Sequence, residues 1–271
     1  MLAAFKVAKR NVDTVAQLLN ENPAVSHNYV RTHDFNLWFT VTVPKTRNVR
    51  KEVSAMAKRA GVQDWLFLPA IKKFKISFQL AMDRSSVRAT KALSHPTHGK
   101  TKTQSFQVSK PFVREMQKDL PLESRPYLSA ARALGWSEAK VVRELRRYIA
   151  AGAVRRMAAV LRPRDSGYPA NVMAVWAPPE DKKDLLGKAA AAHTQVSHCY
   201  ERPTFPNWPY SIYTMIHGRS VAECRNVIRR IAGDSGVLLH RELTTVREYK
   251  KVRVEYFPAA FRGPAKNRRI T

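Results

Sequence analysis

The chain reads as an α+β protein: two ferredoxin-like βαββαβ units with one winged helix-turn-helix between them. Three observations predict this. The segment Val25-Ser26-His27-Asn28-Tyr29-Val30-Arg31 returns as Val196-Ser197-His198-Cys199-Tyr200-Glu201-Arg202, displaced by 171 positions. Hydrophobic spacing around each copy switches between period 2 and period 3.6 in the same order. The stretch between the copies has helical spacing, a serine start and glycine stops.

In the first copy, residues 2–7 read as a strand and 12–19 as a helix, with Val12, Val15, Leu18 and Leu19 on one face. Residues 24–31 and 36–43 alternate as strands, 47–60 are helical up to Gly61, and 64–80 are again strand-like. The second copy predicts strand 171–177, helix 181–192, strands 195–202 and 210–217, helix 220–232 and strand 237–256. Past the repeated Arg the offset becomes 175, because Pro206-Asn207-Trp208-Pro209 is inserted in the second copy only. Between the copies, helices are expected over 112–120 and 126–134, with a third opened by Ser137 and Glu138 and closed at Gly152. Its apolar face is Val141, Val142, Leu145 and Ile149, and Arg155 to Leu161 reads as the wing. The domains are therefore 1–82, a basic linker 83–110, the winged helix-turn-helix 111–167, the second unit 168–258 and a basic tail 259–271.

Lys and Arg number 48 against 21 Asp and Glu, a net charge of +27. Such an excess predicts an anionic partner: nucleic acid, acidic lipid or a polycarboxylate. The linker and tail carry part of it and say little about a pocket. No apolar run approaches the roughly 18 residues of a membrane span. The two cysteines, Cys199 and Cys224, form no C-x-x-C pair, which suits a reducing cytoplasm and argues against a cysteine-ligated zinc.

Strand alternation puts His198, Tyr200 and Arg202 on one face, and His27, Tyr29 and Arg31 on the equivalent one. On the neighbouring strands Trp38, Tyr213 and His217 share the polar-aromatic face, while Leu37, Phe39, Ile212 and Ile216 suit a helix-covered core. A lone strand histidine is ordinarily structural and a lone arginine solvated. The same triad twice, with His217 beside it, argues for a site. Two such faces meeting would enclose a cavity lined by His, Arg, Tyr and Trp. Arg grips carboxylates with two prongs, Tyr and Trp stack on flat rings, and His binds metal or moves a proton near neutral pH. A flat, metal-bearing polycarboxylate meets all three.

Helix-turn-helix followed by a ferredoxin-like domain resembles the Lrp/AsnC regulators. More specifically, Val196 to Tyr210 with Tyr213-Thr214-Met215-Ile216-His217-Gly218, and Val25 to Arg31 with His33-Asp34-Phe35-Asn36-Leu37-Trp38-Phe39-Thr40, resemble the siroheme decarboxylases. Lrp/AsnC regulators usually carry a Gly-Asp-Tyr-Asp turn here; this chain has His33 to Asn36 and Phe205 to Trp208 instead. The resemblance implies removal of the C12 and C18 acetate carboxyls of siroheme, giving 12,18-didecarboxysiroheme for haem d1 or the alternative haem route. It implies a fused two-unit protein, as a homo-oligomer or with related decarboxylase subunits. The iron belongs to the substrate, so no further cofactor is expected. His198, His217 and His27 are the candidate catalytic residues; His198 or His217 is the one to approach the substrate iron. Arg202, Arg31, Tyr200, Tyr29, Trp208, Tyr213 and Trp38 are the candidate substrate-binding residues. One competing reading is a DNA-binding regulator, resting on Arg143, Arg146 and Arg147 of the third helix and Arg155 and Arg156 of the wing; the other is a haem or siroheme carrier with the same pocket but no turnover.

Overall fold

The computed structural model describes residues 1–76, 106–154 and 167–257. The expected wing at 155–161, most of the linker and the tail lie outside the described residues.

The first repeat is β1 (Leu2–Lys6), α1 (Val12–Asn20), β2 (Val25–Arg31), β3 (Phe35–Val41), α2 (Val49–Arg59), β4 (Trp65–Leu68) and β5 (Lys72–Ile76). Next come α3 (Lys110–Met116), α4 (Leu128–Leu134) and α5 (Glu138–Ala150). The second repeat is β6 (Ala170–Trp176), α6 (Lys183–Ala192), β7 (Val196–Glu201), β8 (Ile212–Gly218), α7 (Val221–Ser235) and β9 (His240–Lys251). The βαββαβ order expected for each copy is the order found.

Local chemistry explains the element ends. Asn48 accepts the Lys51 amide at 3.1 Å to start α2, and Ser220 accepts the Glu223 amide at 3.1 Å to start α7. Glu223 reaches back to the Arg219 amide at 2.6 Å. Helix α7 stops at Gly236, whose φ of 64° is left-handed and suits glycine.

The strand order is β4-β1-β3-β2-β9-β6-β8-β7-β5. It differs from two separate four-stranded sheets in one respect. The first part of β9 pairs with β6 of its own repeat (Trp176↔His240, Val172↔Thr244). Its second part pairs with β2 of the other repeat (Arg31↔Thr245, His27↔Lys251). The strand expected over 64–80 splits likewise: β4 pairs with β1, and β5 crosses to β7 (Lys72↔Glu201, Ile76↔His198). Each repeat thus lends its last strand to the other's edge, and both repeats belong to one compact unit.

One core lies between the sheet and its helices in the second repeat: Trp176, Leu186, Val196, Cys199, Ile212, Ile216, Cys224, Val227 and Ile231 are all buried. The Trp176 indole donates to Thr214 Oγ1 at 3.0 Å, which donates on to the Ala174 carbonyl at 3.1 Å, so neither polar group is stranded. A second core lies on the helix-free face and draws on both repeats: Phe35, Trp38, Leu66, Leu68, Met173, Val175, Trp208, Tyr213 and Leu243. The helix-turn-helix unit has its own core of Phe112, Ala131, Val141, Leu145 and Tyr148. Val142 and Ile149, expected on that face, are only half-buried and exposed.

Strand β5 packs Phe74 against α6 at Gly187, where a Cβ would run into the Phe74 ring. Gly187→Ala should therefore destabilise the fold by about 1–3 kcal/mol through forced ring displacement, against a helix-propensity gain of about 1 kcal/mol. Urea unfolding checks this: the midpoint should fall, and an unchanged or higher midpoint refutes the crossed packing.

Candidate functional site

Strict alternation along β2 and β7 is broken in both repeats at the same place. Val25 faces Val41 but His27 faces Thr40, so Ser26 is an extra residue; Val196 faces Ile216 but His198 faces Met215, so Ser197 is. A bulge of this kind re-aims side chains. Here it brings the serine to the histidine. Ser197 Oγ lies 2.8 Å from His198 Nδ1 and 2.9 Å from His217 Nε2, which joins the two imidazoles through one hydroxyl. Ser26 Oγ lies 3.0 Å from His27 Nδ1 and 2.8 Å from Thr40 Oγ1. Alternation alone did not place the serines in the site. The available signal was Val-Ser-His kept in both copies.

Beyond each histidine, the tyrosine and arginine follow on the same face. The His198 and Tyr200 rings are 6.1 Å apart, as are His27 and Tyr29. The Arg202 guanidinium lies 4.9 Å from the Tyr200 ring and 5.4 Å from Tyr213; that of Arg31 lies 5.4 Å from Tyr29. Arg31 donates to the Leu243 carbonyl at 3.0 Å and Arg202 to the Leu68 carbonyl at 2.5 Å, each reaching into the other repeat. The Nε of each is buried without a hydrogen-bond partner. Among the described residues neither guanidinium has a carboxylate within ion-pair distance, although six arginine–carboxylate pairs form elsewhere.

The electrostatics follow from burial. Desolvation pulls Arg31 down to about 10 and lowers Arg202 as well. Burial, then Arg202 and His27, hold His198 below its ordinary value. His217 falls to about 4, first from burial, then from His198 and Lys251. His27 is lowered by burial and by Lys251, with Glu248 opposing. His27 thus lowers His198 across the two repeats, and His198 lowers His217, which Ser197 links to it. Lys251 and Glu248 reach these imidazoles because the β2–β9 ladder sets them opposite His27 and Tyr29. Nothing local in the sequence places them there.

Trp38, Trp208 and Tyr213 sit differently from an open cavity wall. They are 1%, 0% and 3% exposed and pack together between the repeats. The inserted segment causes this. Phe205 and Trp208 exchange backbone bonds at 2.9 Å, folding the indole inward. Trp208 then donates to the Tyr213 hydroxyl at 2.5 Å and packs 5.4 Å from Trp38, 5.7 Å from Phe35 and 5.0 Å from His33. Trp38 and Tyr213 stand cross-strand from Tyr29 and Tyr200, and the His-Tyr rows remain half-buried. On the helix-turn-helix, Arg147 pairs with Glu144 and Arg125 with Glu138, while Arg143 and Arg146 are exposed.

A pair of imidazole rows flanked by guanidiniums whose Nε atoms are buried and unpartnered suits an anionic, proton-demanding reaction on a polycarboxylate. Comparison with known proteins agrees. Residues 1–75 and 165–250 match the AsnC-like ligand binding domain, and residues 109–155 match the siroheme decarboxylase NirDL-like HTH domain. The siroheme decarboxylase of Hydrogenobacter thermophilus is 37% identical over 96% of this chain and 77% of its own. The beta subunit of the Desulfovibrio desulfuricans siroheme decarboxylase is 39% identical over 54% of this chain and 92% of its own, so a single unit of this fold occurs as a separate subunit there. Among solved structures, siroheme decarboxylase NirDL superposes with a TM-score of 0.69 at 33% identity, covering 96% of this chain and 75% of that one. A second NirDL crystal, holding an iron-uroporphyrin III analogue, superposes equally, at 32% identity. With the doubled AsnC-like fold, the NirDL-like helix-turn-helix and this identity along almost its whole length, the chain belongs to the siroheme decarboxylase family.

Proposed function

We propose that the protein decarboxylates siroheme, acting as a carboxy-lyase that converts two ring acetates to methyl groups with release of CO2. The observation that carries this reading is the pair Arg31 and Arg202: one guanidinium per repeat, the first buried and the second half-buried, each with a buried Nε that lacks a hydrogen-bond partner and, among the described residues, no carboxylate within ion-pair distance, beside three imidazoles. A buried cation left uncompensated costs several kcal/mol. A substrate with carboxylate arms removes that cost on binding and is oriented by it.

The reaction is redox-neutral. Each acetate loses CO2, and the electron pair left behind takes up one proton. It therefore needs an acid and a means of holding the other carboxylates, and no cofactor besides the iron that siroheme brings. The imidazole cluster supplies the acid. Tyr29 and Tyr200, half-buried beside the imidazoles, supply flat surfaces for the macrocycle, and the buried Trp38 and Tyr213 stand cross-strand from them. The chain acts in the cytoplasm, where Cys199 and Cys224 remain buried thiols, and alone as an oligomer or with related decarboxylase subunits. The transcription-regulator alternative is not favoured, because the identity along most of the chain is to siroheme decarboxylases.

Anaerobic incubation with siroheme should give two successive mass losses of one CO2 each. Unchanged siroheme, with tight and salt-sensitive binding to duplex DNA, would overturn the assignment. His198→Ala should lower turnover by about a hundredfold or more, as expected for loss of an acid group. Arg202→Ala should raise KM by about tenfold to a hundredfold, the value of a charged hydrogen bond. Wild-type kinetics in both variants would remove these residues from the site.

Burial of the imidazoles also predicts how stability depends on pH. His217 binds a proton only near pH 4 when folded, but at its ordinary value near 6.5 when unfolded. The unfolded chain therefore takes up protons that the folded chain refuses. Stability is full above pH 6.5 and is lost as pH falls toward 4. Thermal melts from pH 7.5 to 4.5 should show this fall, and His217→Gln should flatten it; parallel curves for both proteins would contradict it.

A further inference from the structure

The two repeats present their histidines on matching ladders, yet one position of those ladders is charged in one half and apolar in the other. Resting on the decarboxylation reading, we propose that Lys251 is a specificity-determining residue. Its ammonium takes a carboxylate arm of siroheme on the His27 side, and Ile76, at the same place on the His198 side, offers none, so the macrocycle is held in one orientation.

The equivalence is a matter of register. In one half Lys251, Lys250 and Glu248 stand opposite His27, Asn28 and Tyr29. In the other Ile76, Lys75 and Lys73 stand opposite His198, Cys199 and Tyr200. Each ladder skips one residue at the same step, Tyr249 or Phe74. The middle lysines bear the match out. Lys75 donates to the His193 carbonyl at 2.6 Å and Lys250 to the Asn20 carbonyl at 2.7 Å, each at the C-terminal end of a helix, α6 or α1. Strand alternation then turns Lys251 and Ile76 to the helix-free side, with the histidines that they face.

An exposed lysine is ordinarily a solvated group, and at a sheet edge it discourages pairing with another chain. Here the placement is the reverse. Strand β5 is an edge of the sheet and holds Ile76, which is 50% exposed; β9 is interior and holds Lys251. The Lys251 charge bears on His27 of the first repeat and His217 of the second, so its ammonium is near imidazoles of both rows. Among the described residues no carboxylate lies within ion-pair distance of it, whereas Lys6, Lys72, Lys118 and Lys183 each have one.

The neighbouring position sharpens the contrast. Glu248 faces Tyr29, but Lys73 faces Tyr200. Along the face, the cation therefore stands beside the histidine in one half and beside the tyrosine in the other. A carboxylate arm laid against Lys251 gains a charge-assisted hydrogen bond, and a macrocycle covering it excludes water and strengthens the attraction. Turned about, the same arm meets Ile76, and an arm beside Tyr29 meets the Glu248 carboxylate. Specificity is the difference between the two placements, and it has an attractive and a repulsive part.

The test uses the full chain with siroheme, without oxygen, in a single turnover stopped after the first loss of CO2. Chromatography separates the two singly decarboxylated isomers, one lacking the C12 carboxyl and one the C18 carboxyl. The wild type should give one isomer in clear excess. Lys251→Met should lower that ratio about threefold to thirtyfold, between the values of an exposed ion pair and a charged hydrogen bond, and Lys251→Arg should keep more of it. Moving the charge, with Lys251→Ile and Ile76→Lys together, should shift the excess toward the other isomer. A merely structural role would slow both isomers alike and leave the ratio as it was. An equal mixture from the wild type, or the wild-type ratio in both Lys251→Met and the exchanged chain, overturns the proposal. Siroheme binding, followed by visible absorbance, separates this inference from the reading beneath it. A wild-type chain that binds siroheme but releases no CO2 refutes the decarboxylation reading alone. Lys251→Met should even then bind about threefold to thirtyfold more weakly, and equal affinity overturns the Lys251 contact.

Discussion

Strands β2 and β7 carry the histidines, and each would be a bare edge of its own repeat if the other repeat did not pair with it. An unpaired edge exposes a row of N–H and C=O groups and leaves its register loose. The second part of β9 closes β2, and β5 closes β7, so each histidine strand is held between two neighbours. The crossing also sets the register in which Lys251 faces His27 and Ile76 faces His198. Without the exchange there is no common helix-free face, no shared aromatic core, and no path by which Arg31 reaches Leu243 or Arg202 reaches Leu68.

The guanidiniums depend on that closure in turn. A neutral carbonyl satisfies one N–H but does not neutralise the charge, and desolvation lowers the pKa of both arginines. The fold offsets this cost elsewhere. Fully buried side chains such as Trp38, Trp176, Trp208, Phe5 and Phe39 each contribute apolar area on the scale of about 150–250 Å² for an aromatic ring system. Stability is thus drawn from the rings, while the electrostatic cost of desolvation stays at the arginines.

How far the sequence carried this reading depends on whether a feature is local. The repeated Val-Ser-His, Tyr and Arg were visible because duplication prints the same local chemistry twice, and the βαββαβ order was visible because each strand and helix has its own period. Serine's place beside histidine was not, because a bulge is a property of two paired strands and alternation is counted along one. The split of residues 64–80 into β4 and β5 was hidden for the same reason: both parts have strand character, and only the partner changes. Lys251 and Glu248 come from the far end of the chain by pairing alone. Trp208 looked like a free stacking plate in an insertion; the turn from Phe205 folds it inward, where burying an indole outweighs leaving it in water.

Fusion of the two units has a physical consequence of its own. In a symmetric homodimer both faces must change together, because one gene writes both. A tandem chain frees them. Here the freedom shows at matched positions: His217 against Thr42, Met215 against Thr40, Cys199 against Asn28, Ile76 against Lys251, and an inserted Trp208 with no counterpart. The backbone ladders remain paired in matching registers while the side chains around the two imidazoles diverge. A siroheme molecule is itself unsymmetrical, with acetate and propionate arms at unlike positions. On the function proposed above, a site whose two halves share a scaffold but differ in the side chains around the imidazoles would hold such a molecule in one orientation. A strictly symmetric site would accept it in two.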